Sequence, residues 1–123
     1  IFSHMGIVTP FALYNLNFFG SVTKTSAAGD VDIFICYTDE DNASSANLQN
    51  VTFVERFTVN CAAAGTSYNF NVTVPSTIIV PQGKKLFVFY RNTGYATGDR
   101  IRTSMCISYT SKVADTSSFT LVR

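Results

Sequence analysis

Asn92, Tyr95, Asp99 and Arg100 fall within nine residues, in a segment 92–100 that also holds Gly94 and Gly98. Such a mixture suits a polyhydroxyl ligand. An aromatic face stacks on the C–H side of a sugar ring while planar polar and charged groups take the hydroxyls. The two glycines permit tight turns that would aim these groups. The same segment also reads as a plain long turn, and the residues alone leave both readings open. The loops 39–50 and 61–67 are similarly rich in small polar residues, and binding residues favour loops carried by a rigid scaffold.

Catalytic chemistry finds little support. The only histidine in the 123 residues is His4, near the N-terminus, so the body of the chain lacks the base of Ser-His-Asp or Cys-His mechanisms. The acids Asp30, Asp32, Asp39, Glu40, Asp41, Glu55, Asp99 and Asp115 lie mostly in evident turns or loops. Solvated acids, rather than a glycosidase pair, are the expectation there. Asp39-Glu40-Asp41-Asn42 lacks the DxDxDG spacing and the distal Glu of an EF-hand loop. Gly83, Gly94 and Gly98 form no phosphate-binding loop, because no glycine-rich run follows a strand and opens a helix. Cys36, Cys61 and Cys106 make no CxxC pair, and buried small hydrophobes are the expected reading. No catalytic residue, metal or cofactor is therefore expected.

Composition narrows the class further. At 123 residues the chain is one domain. Nine Lys+Arg against eight Asp+Glu leave a net charge of +1, without the basic excess of a phosphate-neutralising protein, so no nucleic acid is expected as partner. Hydrophobic residues at 46% and aromatics at 14% suffice for a core. No run approaches the ~18 apolar residues of a membrane helix, and the N-terminus lacks the features of a secretory signal. No membrane insertion is expected. Ser3-His4-Met5 resembles a cloning remnant, so residues 1–5 read as tag-derived; 1–9 is read as an N-terminal segment and 10–123 as a single domain. Asn42, Asn50 and Asn71 open glycosylation sequons, which also arise by chance in chains rich in Asn, Ser and Thr.

The elements that must position any site are strands. Period-two alternation recurs along 11–19, 21–25, 31–38, 51–59, 68–74, 77–80, 85–91, 101–110 and 118–122, with turn residues between. No βαβ spacing appears. The prediction is an all-β antiparallel sandwich, jelly-roll-like, of eight or nine strands. Expected core positions include Ala12, Tyr14, Leu16 and Phe18 in the first run, Phe53 and Phe57 in the fourth, and Tyr109 in the eighth. Glu55 shares the parity of Phe53 and Phe57, so it is either turned out by a bulge or buried against an Arg. In 85–91, Leu86, Val88 and Tyr90 can fill the core, which leaves Phe87 and Phe89 on the opposite face. Two exposed Phe make an apolar patch that the N-terminal segment or another subunit must cover, and the pair is assigned to an oligomer interface.

The scarcity of helix, the Ser/Thr/Asn/Gly-rich turns and the run Val80-Pro81-Gln82-Gly83-Lys84-Lys85-Leu86-Phe87-Val88-Phe89-Tyr90 resemble the distal β-domain of a phage tail fibre or tailspike. The resemblance covers about 10–123 and carries no catalytic motif. It implies a homotrimeric, extracellular head on the virion surface that contacts a host-surface glycan, with Asn92, Tyr95, Asp99 and Arg100 as candidate contacts. The alternatives are a structural capsid or appendage domain that only assembles, and a carbohydrate-binding module of an enzyme.

Overall fold

The computed structural model describes residues 2–3, 7–9, 11–38, 51–94 and 97–112. Among them there is no helix, and every strand pairing is antiparallel. Eight strands are described: β1 (Phe2–Ser3), β2 (Ile7–Val8), β3 (Ala12–Lys24), β4 (Gly29–Thr38), β5 (Val51–Cys61), β6 (Ser67–Thr73), β7 (Lys85–Asn92) and β8 (Ile101–Lys112). The larger sheet has β5, β4 and β7 as its long strands, with the two-residue β1 and β2 both pairing along the free edge of β7. The smaller sheet runs β6-β3-β8. One core joins the two layers: Leu16, Phe18 and Val22 of β3 share it with Val31, Ile33 and Ile35 of β4. Phe57 of β5 meets Phe70 of β6 at 5.2 Å between ring centroids, and Thr103 of β8 bonds the Tyr90 hydroxyl of β7 at 3.3 Å. The β-sandwich expectation holds. The expected strand at 118–122 lies outside the described residues, and Val80 of 77–80 makes only an isolated bridge to Leu13.

Two bulges change which residues face the core. The expected break at Gly20 does not occur, because β3 runs unbroken through it. On β3, Tyr14 pairs Thr110 and Asn17 pairs Ser108, so Asn15 and Leu16 together oppose Tyr109. Asn15 takes φ 51°, a left-handed conformation that Asn tolerates through its short polar side chain. The extra residue flips the parity, so Leu13 and Leu16 are buried while Ala12 and Tyr14 are only half-buried. Tyr109, beside the bulge, is 53% exposed rather than in the core. On β5, Glu55 pairs Ile35 and Phe53 pairs Cys36, which leaves Val54 as the extra residue. Val54 fills the core and Phe53 turns out to 59% exposure, opposite to the expectation from alternation. Glu55 stays half-buried, and its Oε1 accepts the Arg56 N–H at 2.9 Å.

Phe87 and Phe89 take the face that alternation gave them, opposite Leu86 and Tyr90. They lie on the face of the larger sheet away from the main core, but the single chain already buries them to 2% and 9% exposure. They meet edge-to-face at 5.0 Å and cluster with Cys36, Phe34 and Val51. Within the N-terminal segment β1 and β2 pair with β7, and the buried Thr9 donates to the Pro81 carbonyl at 2.8 Å across the Pro81-Gln82-Gly83 turn.

Burial also sorts the thiols. Cys36 and Cys61 are buried and Cys106 is exposed. Desolvation pushes the Cys36 thiol up to about 12 and raises that of Cys61, so neither forms thiolate readily. In the native protein iodoacetamide is expected to modify Cys106 alone, with Cys36 and Cys61 reacting only after denaturation. Mass spectrometry of alkylated peptides checks this, and rapid native modification of Cys36 would contradict the burial.

Candidate functional site

The segment 92–100 connects β7 of one sheet to β8 of the other, and it lies beside the β3–β4 connection, residues 25–28. What joins the two connections is Lys24, the last residue of β3. Its side chain points inward with Val22 and is fully buried. The ammonium donates to Asn92 Oδ1 at 2.5 Å and to the Thr93 carbonyl at 2.6 Å, and it pairs with Asp99 Oδ2 at 3.1 Å. A buried ammonium is stable only if paired and hydrogen-bonded, and here all three donors have acceptors.

Asp99 completes the knot. Its Oδ1 accepts the N–H groups of Ser26 at 2.8 Å and Ala27 at 3.3 Å, and its Oδ2 accepts Asn92 Nδ2 at 3.0 Å besides Lys24. A carboxylate offers about four acceptor positions, and all are taken. The Asn92 amide, the Ser26 N–H and Lys24 hold the Asp99 carboxyl well below the usual range, against the opposing pull of desolvation. Gly29 is part of the same arrangement. A β-carbon there would come within 2.6 Å of the Thr93 carbonyl oxygen and 3.2 Å of the Lys24 ammonium. Its φ of +150° is also one that side-chain-bearing residues rarely adopt.

The candidate contacts therefore separate. Asn92 and Asp99 come together, but their polar atoms face Lys24 and the 25–28 connection, where they fix the loop. Arg100 is exposed at its side chain, while its backbone N–H bonds Thr25 Oγ1 at 2.9 Å. Tyr95 lies outside the described residues, as do Asp39, Glu40, Asp41 and Asp115. Sequence reasoning missed Lys24. Its only signal was a charge on the parity of Val22 at the end of an apolar strand.

The other acids of the sheets are spent in the same way. Asp32 accepts the Thr58 hydroxyl at 2.6 Å on one oxygen and two nitrogens of Arg91, Nε at 2.9 Å and Nη2 at 2.5 Å, on the other. The Thr58 bond, then the Arg91 bond, hold its pKa below the ordinary value. Asp30 accepts the Asn60 amide at 2.7 Å. Arg56 and Arg91 both lie over the Phe34 ring, at 5.1 and 5.4 Å. Among the described residues, no group of three or more His, Cys, Asp or Glu is placed to hold a metal ion.

The chain matches no known protein-family profile, no curated protein and no solved structure.

The outer face of the smaller sheet is mostly neutral and polar, whereas the larger sheet exposes Arg56 and Arg91. The outward side chains of β6, β3 and β8 form cross-strand rows: Asn71, Phe19 and Cys106; Asn69, Ser21 and Ser104; Thr73, Asn17 and Ser108. The Ser21 and Ser104 hydroxyls share a hydrogen bond at 3.1 Å, and the Thr73 hydroxyl donates to Asn17 Oδ1 at 2.9 Å.

Proposed function

We propose that this domain is a noncatalytic recognition head: a jelly-roll-like β-sandwich on the exterior of a virus particle that binds a host-surface saccharide and works as a homotrimer. The observation that supports it best is how the fold spends its charges. Asp99, Asp32 and Asp30 hold a loop and two strands, and the outer face of the β6-β3-β8 sheet offers amides, hydroxyls and the Phe19 ring, with Arg102 at one end. Those groups recognise polyhydroxyl ligands and have no acid–base work to do. A loop fixed by a buried ion pair and a flat antiparallel sheet are both rigid platforms, which lowers the ordering cost of binding. Among the described residues Phe53 of β5 is the most exposed large hydrophobic, next to Phe34 at 6.1 Å between centroids, and offers a surface for a subunit contact.

A glycan array together with light scattering tests the proposal. The expected result is retention on a subset of host-surface saccharides, a solution mass of three chains, and loss of that mass in Phe53→Asp. Each chain contributes weak contacts, so three copies recover avidity on a coated surface. A monomer that binds no saccharide would overturn the reading. Binding accompanied by shortened polysaccharide chains would replace the head with an enzyme.

A further inference from the structure

We propose that the outer face of the β6-β3-β8 sheet is a binding site for an uncharged saccharide chain, centred on Phe19. This deepens the recognition reading and rests on it, and it moves the contact from the 92–100 loop to the sheet.

Phe19 is 38% exposed, although it sits mid-strand on the central strand of its sheet. A central strand has no edge to blunt and no register reason for an outward Phe, and a solvated sheet face ordinarily alternates to polar residues. Most neighbours on that face are polar, with Asn17 and Ser21 on β3 and Asn71 across one side, while the Cys106 thiol stands across the other. One ring thus stands in a field of amides and hydroxyls. A shallow open depression of about 520 Å³ lies against it, lined by Phe19, Gly20, Ser21, Asn69, Asn71 and Ser104, with Phe70 beneath. Its open shape suits a chain laid across the strands more than an enclosed small molecule.

Charge complementarity selects the occupant. None of the residues lining the depression is ionisable, so a phosphate, sulfate or carboxylate gains nothing there and a cation gains no more. The nearest charge on the face is Arg102, which pairs with Thr23 one cross-strand row beyond Ser21 and Ser104. Asn side chains both donate and accept, as do hydroxyls, which matches the dual character of sugar hydroxyls. The ring supplies the C–H stacking surface. The hydroxyl pair Ser21–Ser104 and the Thr73–Asn17 bond hold their groups in place before any ligand arrives.

Cys106 makes the site testable by position. It is exposed and directly opposite Phe19. The experiment titrates the intact chain with soluble neutral polysaccharides (a β-glucan, a galactan, a mannan) and with two acidic ones, polysialic acid and hyaluronan. It follows both binding and the rate of Cys106 alkylation. The expected result is binding to at least one neutral polymer, with Cys106 alkylation slowed several-fold at saturation. Phe19→Ala should weaken binding at least ten-fold and Phe19→Trp should retain it, both with an unchanged unfolding midpoint. If a neutral polymer binds equally well to Phe19→Ala and Cys106 stays unprotected, the site lies elsewhere and the recognition reading survives. Binding only to the acidic polymers overturns the ligand class. If no polymer binds, the recognition reading itself fails and this site fails with it. A wild-type dimer that Phe19→Ala dissociates assigns the face to a second copy of the chain instead.

Discussion

Gly20→Ala is expected to be strongly destabilising. Gly20 sits in the middle of β3, between Phe70 of β6 and Met105 of β8. An added β-carbon would be driven into the backbone carbonyl oxygen of Ser104, with the Met105 Cα only 3.0 Å away. The obstacle is backbone of the paired strand, so no rotamer change relieves it. The β3–β8 ladder must part or shift, and β3 is the strand that holds the smaller sheet together. Forced overpacking costs about 1–3 kcal/mol where side chains can adjust, and here the cost belongs at or above the top of that range. Urea unfolding followed by fluorescence or circular dichroism measures it. A variant within about 0.5 kcal/mol of the parent would show that the two strands can separate at this point without loss.

Lys24→Met is the second large effect. Methionine keeps the length of the stem but removes the ammonium, leaving Asn92 Oδ1, the Thr93 carbonyl and the Asp99 carboxylate short of a donor. Removing one partner of a buried pair is more damaging than never having had the pair. The melting temperature is expected to fall by about 10–20 °C, and the double variant Lys24→Met/Asp99→Asn is expected to recover part of the loss. Calorimetry on the four proteins of this cycle gives the coupling directly. A fall in the double variant equal to the sum of the two single falls would show that the pair does not act as a unit.

The same knot sets the acid limit of the protein. Asp99 and Asp32 both titrate below the ordinary aspartate value of 3.8 in the folded chain. As pH falls the unfolded chain therefore takes up these protons first. Their contribution to stability is complete above the ordinary value and is lost progressively as pH falls below it toward the folded pKa. Stability should be flat from neutral pH down to about 5 and then decline, and the decline should be shallower in Asp99→Asn.

Much of the architecture was legible in the residues. Alternation in Val31, Ile33 and Ile35, in Phe70 and Val74, and in Leu86 and Tyr90 located the strands and their buried faces correctly, because a half-buried antiparallel strand must alternate. The Pro81-Gln82-Gly83 turn was legible too, since Gly83 supplies the φ of +83° that the turn needs. Parity failed where a bulge added a residue, at Asn15–Leu16 and at Val54. Nothing in the composition of a strand states its register, and one extra residue exchanges its two faces.

The site was less legible for a similar reason. Asn92, Asp99 and Arg100 stood out because they are close in sequence, yet what Asn92 and Asp99 do is decided by Lys24, which lies 68 residues from the first. Burial of that one ammonium converts two apparent ligand contacts into internal acceptors. Phe19 was invisible for the opposite reason: in sequence it is one more aromatic in FALYNLNFF. Its sheet partners Asn71 and Cys106 are 52 and 87 positions away. The sequence by itself determined the class of fold, because the period of hydrophobicity and the turn residues are local properties. Only the tertiary structure decided which polar groups are satisfied inside and which stay exposed, because that depends on which strands pair and in what register.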